Sequence, residues 1–177
     1  GKPLSALMGA LKMQVEFGLP SIGGKDSMSG TFENINVPPM LMAFGITTVD
    51  AGQVISPELK YEGNKLYLIK HTPLANHMPD VEQLKANWSY VHEQIKAENI
   101  VSGYALGFGG LAEAVCKMSF GNALDAKIKY DEAELFNYGY GSILVEAEEE
   151  LDYPNAILIG EVTDGEESEL SINGKKF

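Results

Sequence analysis

The sequence predicts an α+β fold in which helices pack on a mixed β-sheet, with a smaller region before the main domain. Apolar residues recur with helical spacing in three segments, and short runs typical of strands lie between them. Because strands and helices are interleaved without strict alternation, we expect a helix layer over a mixed sheet. A polar, turn-rich stretch over residues 50–64 separates two regions, and we place the domain boundary between residues 1–52 and residues 53–177.

The first region is predicted to form a helix, a strand end, a glycine-rich loop and a second strand. Pro3 suits the first turn of the helix, and Gly18 suits its end. The apolar run at residues 19–22 is typical of a buried strand end, and the run at residues 40–49 is typical of a central strand. These elements are too few to close a core, so we expect a fragment of a larger domain whose apolar surface favours self-association. The apolar face of the helix carries Leu4, Leu7, Met8, Leu11 and Val15.

The second region is predicted to contain strands and helices that share one core. Asp80 is a typical N-cap for a long helix, and Asn173-Gly174 is the signature of a type I′ hairpin. The predicted helices cover residues 81–99, 111–119 and 132–136, the last one capped by Asp131. The predicted strands cover residues 65–70, 100–106, 126–130, 142–146 and 156–162, and the hairpin joins residues 169–172 to residues 175–177.

Composition and charge exclude several classes of function. The net charge of −12 argues against binding to nucleic acid or to anionic membranes. Acidic runs at residues 146–152 and 164–169 carry much of this charge, and we expect both to face solvent. No apolar run reaches the ~18 residues that a bilayer span needs, and no signal peptide is recognisable at the start, so we expect a cytoplasmic protein. The one cysteine, Cys116, cannot form an internal disulfide, which fits a reducing compartment.

The segment at residues 23–30 is the strongest candidate site. Adjacent glycines let the backbone approach a ligand closely, a lysine supplies positive charge, and serine hydroxyls with successive backbone amides can surround an anion. This chemistry predicts a phosphate-binding loop at a strand end, and the alternative is a plain glycine turn with polar surface residues. The spacing is not that of a Walker A loop. The candidate binding residues are Gly23, Gly24, Lys25, Asp26, Ser27 and Ser29.

A second glycine-rich turn lies between a predicted strand and the helix at residues 111–119. A strand, a glycine turn and a helix together can present backbone amides to an anion at the helix N-terminus. Against this, Phe108 puts an apolar ring where a ligand-handling group is expected, and glycines also serve to pack a helix on a strand. The possible nucleotide-proximal residues are Gly107, Gly109 and Gly110.

No catalytic side chain and no metal site is predicted. Cys116 lies mid-helix among core positions, so we expect a small buried hydrophobe rather than a nucleophile. His71, His77 and His92 lack the spacing of metal ligands. Asp26 could bind Mg²⁺ beside a phosphate, but an Asp in a glycine turn more often caps backbone amides.

Several stretches of the chain, taken together, resemble one enzyme family. They are GLPSIGGKDSMSG and PPMLMAFGITTVD in the first region, and KLYLIK, GFGGLAEAVCKMSFGN and ELFNYGYGSILVE in the second. Their wording and order are similar to phosphoribosylformylglycinamidine synthases of the long, single-chain form, over essentially the whole chain. The resemblance implies the end of the second N-type PurM-like (AIR-synthase-related) domain over residues 1–52, and the second C-type domain over residues 53–177.

The resemblance implies an ATP-dependent ligase of purine biosynthesis. In that family the formyl amide oxygen of formylglycinamide ribonucleotide is activated by ATP, as an iminophosphate, and ammonia from glutamine displaces the phosphate. Such chemistry depends on charge stabilisation more than on acid–base groups. ATP and Mg²⁺ are implied for the full enzyme, and none is expected on this chain alone, which we expect to be inactive. The implied partners are the rest of the same enzyme, including its first PurM-like half and its glutaminase domain.

The resemblance also implies site roles, which one departure limits. Gly24 is placed near nucleotide and Ser27 near the substrate phosphate, while Lys25 stands where short-form relatives have a metal-binding Asn. Many relatives carry H-D-x-S-D-G-G-L where this chain reads YALGFGGL, at residues 104–111. Since Ala105 replaces the metal-binding Asp and an Ala cannot ligate Mg²⁺, we expect the second region to be structural, without a Mg²⁺–nucleotide site.

Two other interpretations stay open. The chain could belong to another ATP-dependent enzyme of the PurM superfamily, such as aminoimidazole ribonucleotide synthetase, selenophosphate synthetase or a hydrogenase maturation factor. The wording GGKDSMS at residues 23–29 argues against these. It could also be a non-catalytic scaffold or dimerisation module, in which the glycine segment binds no ligand.

Overall fold

The chain divides into two compact units, Gly1–Asp50 and Ala51–Phe177. The computed structural model describes residues 1–27, 30–38, 40–164 and 171–176. The division follows Asp50, and the turn-rich stretch predicts a boundary after residue 52. The assignment of the two units to an N-type and a C-type domain stays a prediction. Within the described residues, no helix is both long and apolar enough to cross a membrane.

The first unit is one helix followed by four short strands. The elements are α1 (Lys2–Phe17), β1 (Gly23–Ser27), β2 (Gly30–Phe32), β3 (Ile35–Val37) and β4 (Met40–Phe44). β1 pairs with β4 and β2 pairs with β3, both antiparallel. As predicted, α1 ends at Gly18, whose φ of 63° is left-handed and whose amide donates to the carbonyls of Gln14 and Val15. A glycine takes this conformation without a steric penalty.

No described side chain of the first unit is buried. The apolar face of α1 is open, with Leu7 exposed at 55% and Val15 at 72%, as the sequence predicts. Two strand predictions are wrong. Residues 19–22 precede β1 instead of forming a strand, and the predicted central strand ends at Phe44 and pairs, among the described residues, with β1 alone. This unit therefore buries no core of its own, and self-association stays a prediction.

The second unit is built on one mixed sheet. Among the described residues its strands are β5 (Lys65–Ile69), β6 (Ile100–Ala105), β7 (Asp125–Ile128), β8 (Ile143–Ala147), β9 (Ala156–Thr163), β10 (Ser171–Ile172) and β11 (Lys175–Lys176). They follow the order β11-β10-β7-β9-β5-β8-β6. β10 runs parallel to β7, and the other neighbouring strands are antiparallel. A 3₁₀ turn at Ala51–Gln53 and the helices α2 (Val81–Lys96) and α3 (Gly110–Ser119) complete the unit. The predicted α+β class, with helices on a mixed sheet, is confirmed.

Alternate residues of the central strands face two separate cores. Leu66 and Leu68 of β5 cluster with residues of α3, whereas Tyr67 and Ile69 cluster with Val91 of α2. Because successive side chains of a strand point to opposite faces of the sheet, the two helices cover opposite faces. The two cores together hold the buried apolar residues that stabilise this unit.

The turn after Asp131 corrects one prediction. Residues 132–136 form turns, so the predicted brief helix is wrong. Asp131 does cap the segment, since its Oδ1 accepts the amide of Ala133 at 2.9 Å. However, the carbonyl of Leu135 accepts the amide of Ala112 in α3 at 3.0 Å. This long-range hydrogen bond, together with burial of the Leu135 side chain, holds the segment against α3 as a turn.

Two local signals of the second unit are confirmed. Asp80 is the N-cap of α2, and its Oδ1 accepts the amide of Gln83 at 3.0 Å. Asn173 and Gly174 have φ angles of 52° and 79°, the left-handed pair that a type I′ turn requires. Residues 169, 170 and 177 of the predicted hairpin lie outside the described residues.

The prediction that the acidic run at residues 146–152 faces solvent is wrong for Glu146. Its side chain is fully buried, and each carboxylate oxygen accepts two hydrogen bonds. Oε1 accepts the amide of Tyr61 at 2.9 Å and the side-chain amide of Asn64 at 2.8 Å. Oε2 accepts the amide of Lys60 and the hydroxyl of Ser102, each at 2.8 Å. A buried carboxylate is tolerated only when it is fully hydrogen-bonded, so the burial of Glu146 depends on these four donors.

We expect Glu146→Ala to lower the free energy of unfolding by about 3 kcal/mol, because four donors lose their acceptor. Glu146→Gln should cost about 1–2 kcal/mol, since an amide nitrogen replaces one accepting oxygen. The matched control is Glu149→Gln, an exposed acid on the same run, which should change stability by less than about 0.5 kcal/mol. Urea unfolding of the whole chain measures all three, and equal effects of the three substitutions would contradict the role of Glu146.

Candidate functional site

The first five residues of the first predicted site segment, Gly23–Ser27, are a strand rather than a loop. They form β1, in register with β4, so that Lys25 lies opposite Met42. The pairing itself requires a glycine at position 24, because a Cβ atom on Gly24 would collide with the carbonyl oxygen of Met42. At Gly23 a Cβ atom would make only an ordinary contact, 3.9 Å from the ring of Phe44. The predicted loop is therefore wrong for residues 23–27, whereas residues 28 and 29 lie outside the described residues. The close backbone approach that Gly24 permits is to β4.

The structure brings four of the six predicted phosphate-binding residues to one groove. Gly23, Gly24, Lys25 and Asp26 line a groove of about 710 Å³ together with apolar residues of α1 and β4. Lys25 and Asp26 are exposed, and Lys25 Nζ donates to the backbone carbonyl of Asp26. Ser27 is described only as backbone within β1, and Ser29 lies outside the described residues. A groove of this size can hold a small ligand, and the role of these residues in phosphate binding stays a prediction.

In the second glycine-rich segment, the backbone amide of Gly109 already donates to a carboxylate of the same chain. Glu113 Oε2 accepts the amide of Gly109 at 2.8 Å, and Oε1 lies 2.6 Å from Lys117 Nζ. Lys117 and this amide hold the pKa of the Glu113 carboxyl below its ordinary value. An anion approaching this helix N-terminus would therefore meet a negative charge where a free amide is needed. Glu113 is an acid in the first turn of α3, which is a sequence signal for a helix start. Its contact with Gly109 was not predicted from the sequence.

Two of the three glycines in this segment have structural reasons. Gly110 has a φ of 64°, and a Cβ atom there would collide with the carbonyl of Asn137 and lie 2.7 Å from that of Leu135. A Cβ atom on Gly109 would lie 2.6 Å from the Cβ of Glu113. Gly107 is uncrowded, with its nearest neighbour at 4.0 Å. Tight packing therefore accounts for Gly109 and Gly110, and proximity to a nucleotide stays a prediction for all three.

The residues at the start of α3 do not fit a Mg²⁺–nucleotide site. Ala105, Leu106 and Gly107 carry no side-chain oxygen, whereas Mg²⁺ needs oxygen ligands. The neighbouring carboxylate of Glu113 is committed to Gly109 and to a lysine. Across residues 1–27, 30–38, 40–164 and 171–176, no three His, Cys, Asp or Glu side chains are grouped to hold a metal ion.

The surroundings of His71 and Cys116 favour a structural role over a catalytic one. His71 Nε2 accepts the amide of Asp80 at 3.1 Å, so Nδ1 carries the proton and donates to the carbonyl of Tyr140 at 2.9 Å. This imidazole is thereby used to join the end of β5 to the start of α2. Burial raises the pKa of the Cys116 thiol, which disfavours the thiolate that a nucleophile needs.

Comparison with known proteins gives matches at the level of structure. No protein-family model matches the sequence, and no curated protein matches it. Phosphoribosylformylglycinamidine synthase II from Thermotoga maritima matches with a TM-score of 0.58 and 11% identity, over 80% of this chain and 28% of that chain. T. maritima PurL complexed with ATP matches with a TM-score of 0.56 and 10% identity, over 78% and 28%. E. coli HypE, a hydrogenase maturation protein, matches with a TM-score of 0.58 and 11% identity, over 82% and 58%.

These similarities show the fold of the chain. It has the PurM/AIR-synthase-like α+β fold that the PurL and HypE structures share. The chain spans 28% of the length of each PurL chain and 58% of HypE, so domains of this fold occur within longer chains. Because the identities lie near 10%, these similarities do not identify a reaction. The reaction has to be inferred from the residues of this chain.

We expect Gly110→Ala to destabilise the protein by about 2–4 kcal/mol, because the left-handed backbone and two nearby carbonyls exclude a methyl group. Gly107→Ala, the matched control in the same turn, should cost less than about 0.5 kcal/mol. Thermal unfolding of the two variants measures the difference. A large cost at Gly107 with none at Gly110 would show that packing does not explain these glycines.

We expect Gly24→Ala to loosen the pairing of β1 with β4, because the added Cβ meets the carbonyl of Met42. Amide hydrogen exchange in both strands should become roughly tenfold faster. Gly23→Ala, which adds the same methyl group without crowding, should leave exchange rates within about twofold of the original values. Unchanged exchange in Gly24→Ala would return this glycine to a purely ligand-related explanation.

Proposed function

We propose that this chain is part of a phosphoribosylformylglycinamidine synthase. This ligase of de novo purine biosynthesis uses ATP and glutamine to convert formylglycinamide ribonucleotide into formylglycinamidine ribonucleotide. One combination of observations supports the proposal: a chain with the fold of T. maritima PurL has several stretches that resemble those of the family, in the same order, led by GGKDSMS at residues 23–29. Since the chain spans 28% of the PurL length, the proposed activity belongs to a larger enzyme.

The fold alone fits another enzyme of the superfamily equally well. HypE and the T. maritima synthase both match with a TM-score of 0.58 and 11% identity. The feature that favours the synthase is therefore the sequence motif GGKDSMS at residues 23–29. A lysine between two glycines and an aspartate, followed by two serines, provides a cation and hydroxyls for a phosphate ester.

The first unit is the proposed contributor to substrate binding. Its groove of about 710 Å³ has the Gly23, Gly24, Lys25 and Asp26 segment on one wall. The ammonium of Lys25 would pair with the phosphate of formylglycinamide ribonucleotide, and the adjacent glycine backbone permits close approach.

The second unit is the proposed structural part of the enzyme. The Gly109 amide at the N-terminus of α3 donates to Glu113, and Ala105 and Gly107 have no side-chain oxygen for Mg²⁺. ATP and Mg²⁺ are therefore proposed to bind other parts of the full enzyme, where they would supply the phosphoryl group and neutralise its charge. The proposed partners of this chain are the first PurM-like half and the glutaminase domain.

A non-catalytic scaffold is the second candidate function. The observation that favours it is that Gly24 and Gly110 each have a packing reason that involves no ligand. The open apolar face of α1 would then serve as a contact surface for a partner or a second copy. Ligand titrations separate the two candidates.

We expect formylglycinamide ribonucleotide to shift the amide NMR signals of β1 when it is titrated into the isotope-labelled chain. The dissociation constant should be on the order of 1 mM, because one lysine and a few amides supply the contacts. Mg²⁺–ATP, titrated separately, should leave the signals of residues 107–110 unchanged. Lys25→Ala should weaken substrate binding about fivefold to tenfold, as the loss of one exposed charged contact predicts.

The control is Lys12→Ala, because Lys12 pairs with Glu16 on the surface of α1 and does not line the groove. It should leave substrate binding unchanged. An absent response of β1 to the substrate would overturn the phosphate-binding role and favour the scaffold. A response of residues 107–110 to Mg²⁺–ATP would overturn the structural role of the second unit.

A further inference from the structure

The second unit contains a cavity of about 220 Å³ beside its first core. It lies at the ends of β5 and β6, under the turn that follows Asp131. Leu68, Leu106 and Leu111 form its apolar wall, and each of them is almost fully buried. The cavity is open to solvent on the side of the turn, because Glu134 and Tyr138, which also line it, are exposed.

Charged and polar side chains converge on the same cavity. Lys70 Nζ lies 3.0 Å from Glu134 Oε2 and 3.4 Å from the hydroxyl of Tyr130, which itself donates to Glu134 Oε2 at 3.2 Å. The Glu134 carboxylate raises the pKa of Lys70, and Lys70 lowers the pKa of Glu134, so both groups are charged at neutral pH. An apolar cavity with a few convergent polar groups is the general form of a small-molecule site.

The carboxylate of Glu134 already occupies the polar end of this cavity. A single carboxylate oxygen reaches both the ammonium of Lys70 and the hydroxyl of Tyr130. Glu134 is on a turn and its side chain is 44% exposed, so it can leave this position for solvent without opening the core. A ligand carboxylate can then take the same two partners, with the Glu134 side chain as the group that it replaces.

An exposed aromatic row borders the cavity. Tyr138 lines it, and its ring stacks on that of Phe108 with 5.0 Å between centroids, while the tilted ring of Tyr140 lies 6.0 Å from that of Tyr138. These rings are 63%, 74% and 60% exposed, respectively. Exposed stacked aromatics offer a face to a planar ring, which such side chains bind in offset or edge-to-face geometry.

We propose that this cavity is a binding site for a small aromatic carboxylate. The carboxylate binds Lys70 and Tyr130 in place of Glu134, and the ring lies between Leu106 and Tyr138. The size is suitable, because a cavity of about 150 Å³ is known to hold benzene and this one has 220 Å³. This site lies wholly within the second unit and does not depend on the proposed ligase function.

Titration of benzoate into the labelled chain, followed by NMR, tests the proposal. We expect saturable shifts at Lys70, Tyr130 and Tyr138, with a dissociation constant on the order of 1 mM. Benzylamine, which has the same ring with a cationic group, and acetate, which has no ring, should each bind at least tenfold more weakly. Phenyl phosphate distinguishes a carboxylate site from a phosphate site, and tighter binding of phenyl phosphate than of benzoate would overturn the carboxylate assignment.

Three variants test both the direction and the size of the expected change in benzoate affinity. Glu134→Gln should strengthen benzoate binding about threefold to fivefold, because the competing carboxylate is removed. Lys70→Met should weaken it at least tenfold, and Tyr138→Ala about threefold. Lys85→Met is the matched control, since Lys85 pairs with Glu82 on the surface of α2 and does not line the cavity.

The outcomes of these titrations are distinct. Weaker binding in Glu134→Gln, or benzylamine preferred over benzoate, would overturn the proposal. So would unchanged affinity in Lys70→Met when circular dichroism shows the native fold. Should Lys70→Met fail to fold, Glu134→Gln and Tyr138→Ala decide the matter, because both side chains project from exposed turns.

Discussion

The buried carboxylate of Glu146 is the interaction on which the second unit depends. It lies on β8, yet its donors include Lys60, Tyr61 and Asn64, which precede β5, and one more on β6. The same segment is also bonded to α3, because the amide of Leu59 donates to the carbonyl of Met118 at 2.9 Å. Unpaired burial of the carboxylate would cost several kcal/mol, so Glu146 can stay buried only while the segment before β5 stays in place beside β8.

Carboxylates of this acidic chain serve repeatedly as acceptors for its own amides. Glu146 accepts two backbone amides, Glu113 accepts that of Gly109, and Asp80 accepts that of Gln83. Of these amides, those of Gly109 and Gln83 lie at helix N-termini, where free amides can bind anions. The amide of Gly109 is not free for this purpose, because the Glu113 carboxylate accepts it.

Local signals predicted most of the elements, and long-range contacts account for the errors. Spacing and caps predicted α1 and α2, since Gly18 and Asp80 act within one turn. Burial of Glu146 was not predictable, because its donors are 44 to 86 residues away along the chain. The sequence predicts a loop where β1 forms, because a glycine-rich segment forms a strand only when β4 is beside it. Of the candidate site, the residues on the groove wall followed from local sequence, but the occupation of Gly109 did not.

The two units differ in what stabilises them, and this bears on ligand binding. The second has two cores, and no buried side-chain nitrogen or oxygen in its described part lacks a hydrogen-bond partner. The first has no buried side chain among those described, although Gly24 and Lys25 lie there. A unit that buries so little apolar surface gains little stability of its own. Ordering it is then part of the free energy of binding, so we expect the ligand proposed for Lys25 to bind more tightly once another surface covers the apolar face of α1.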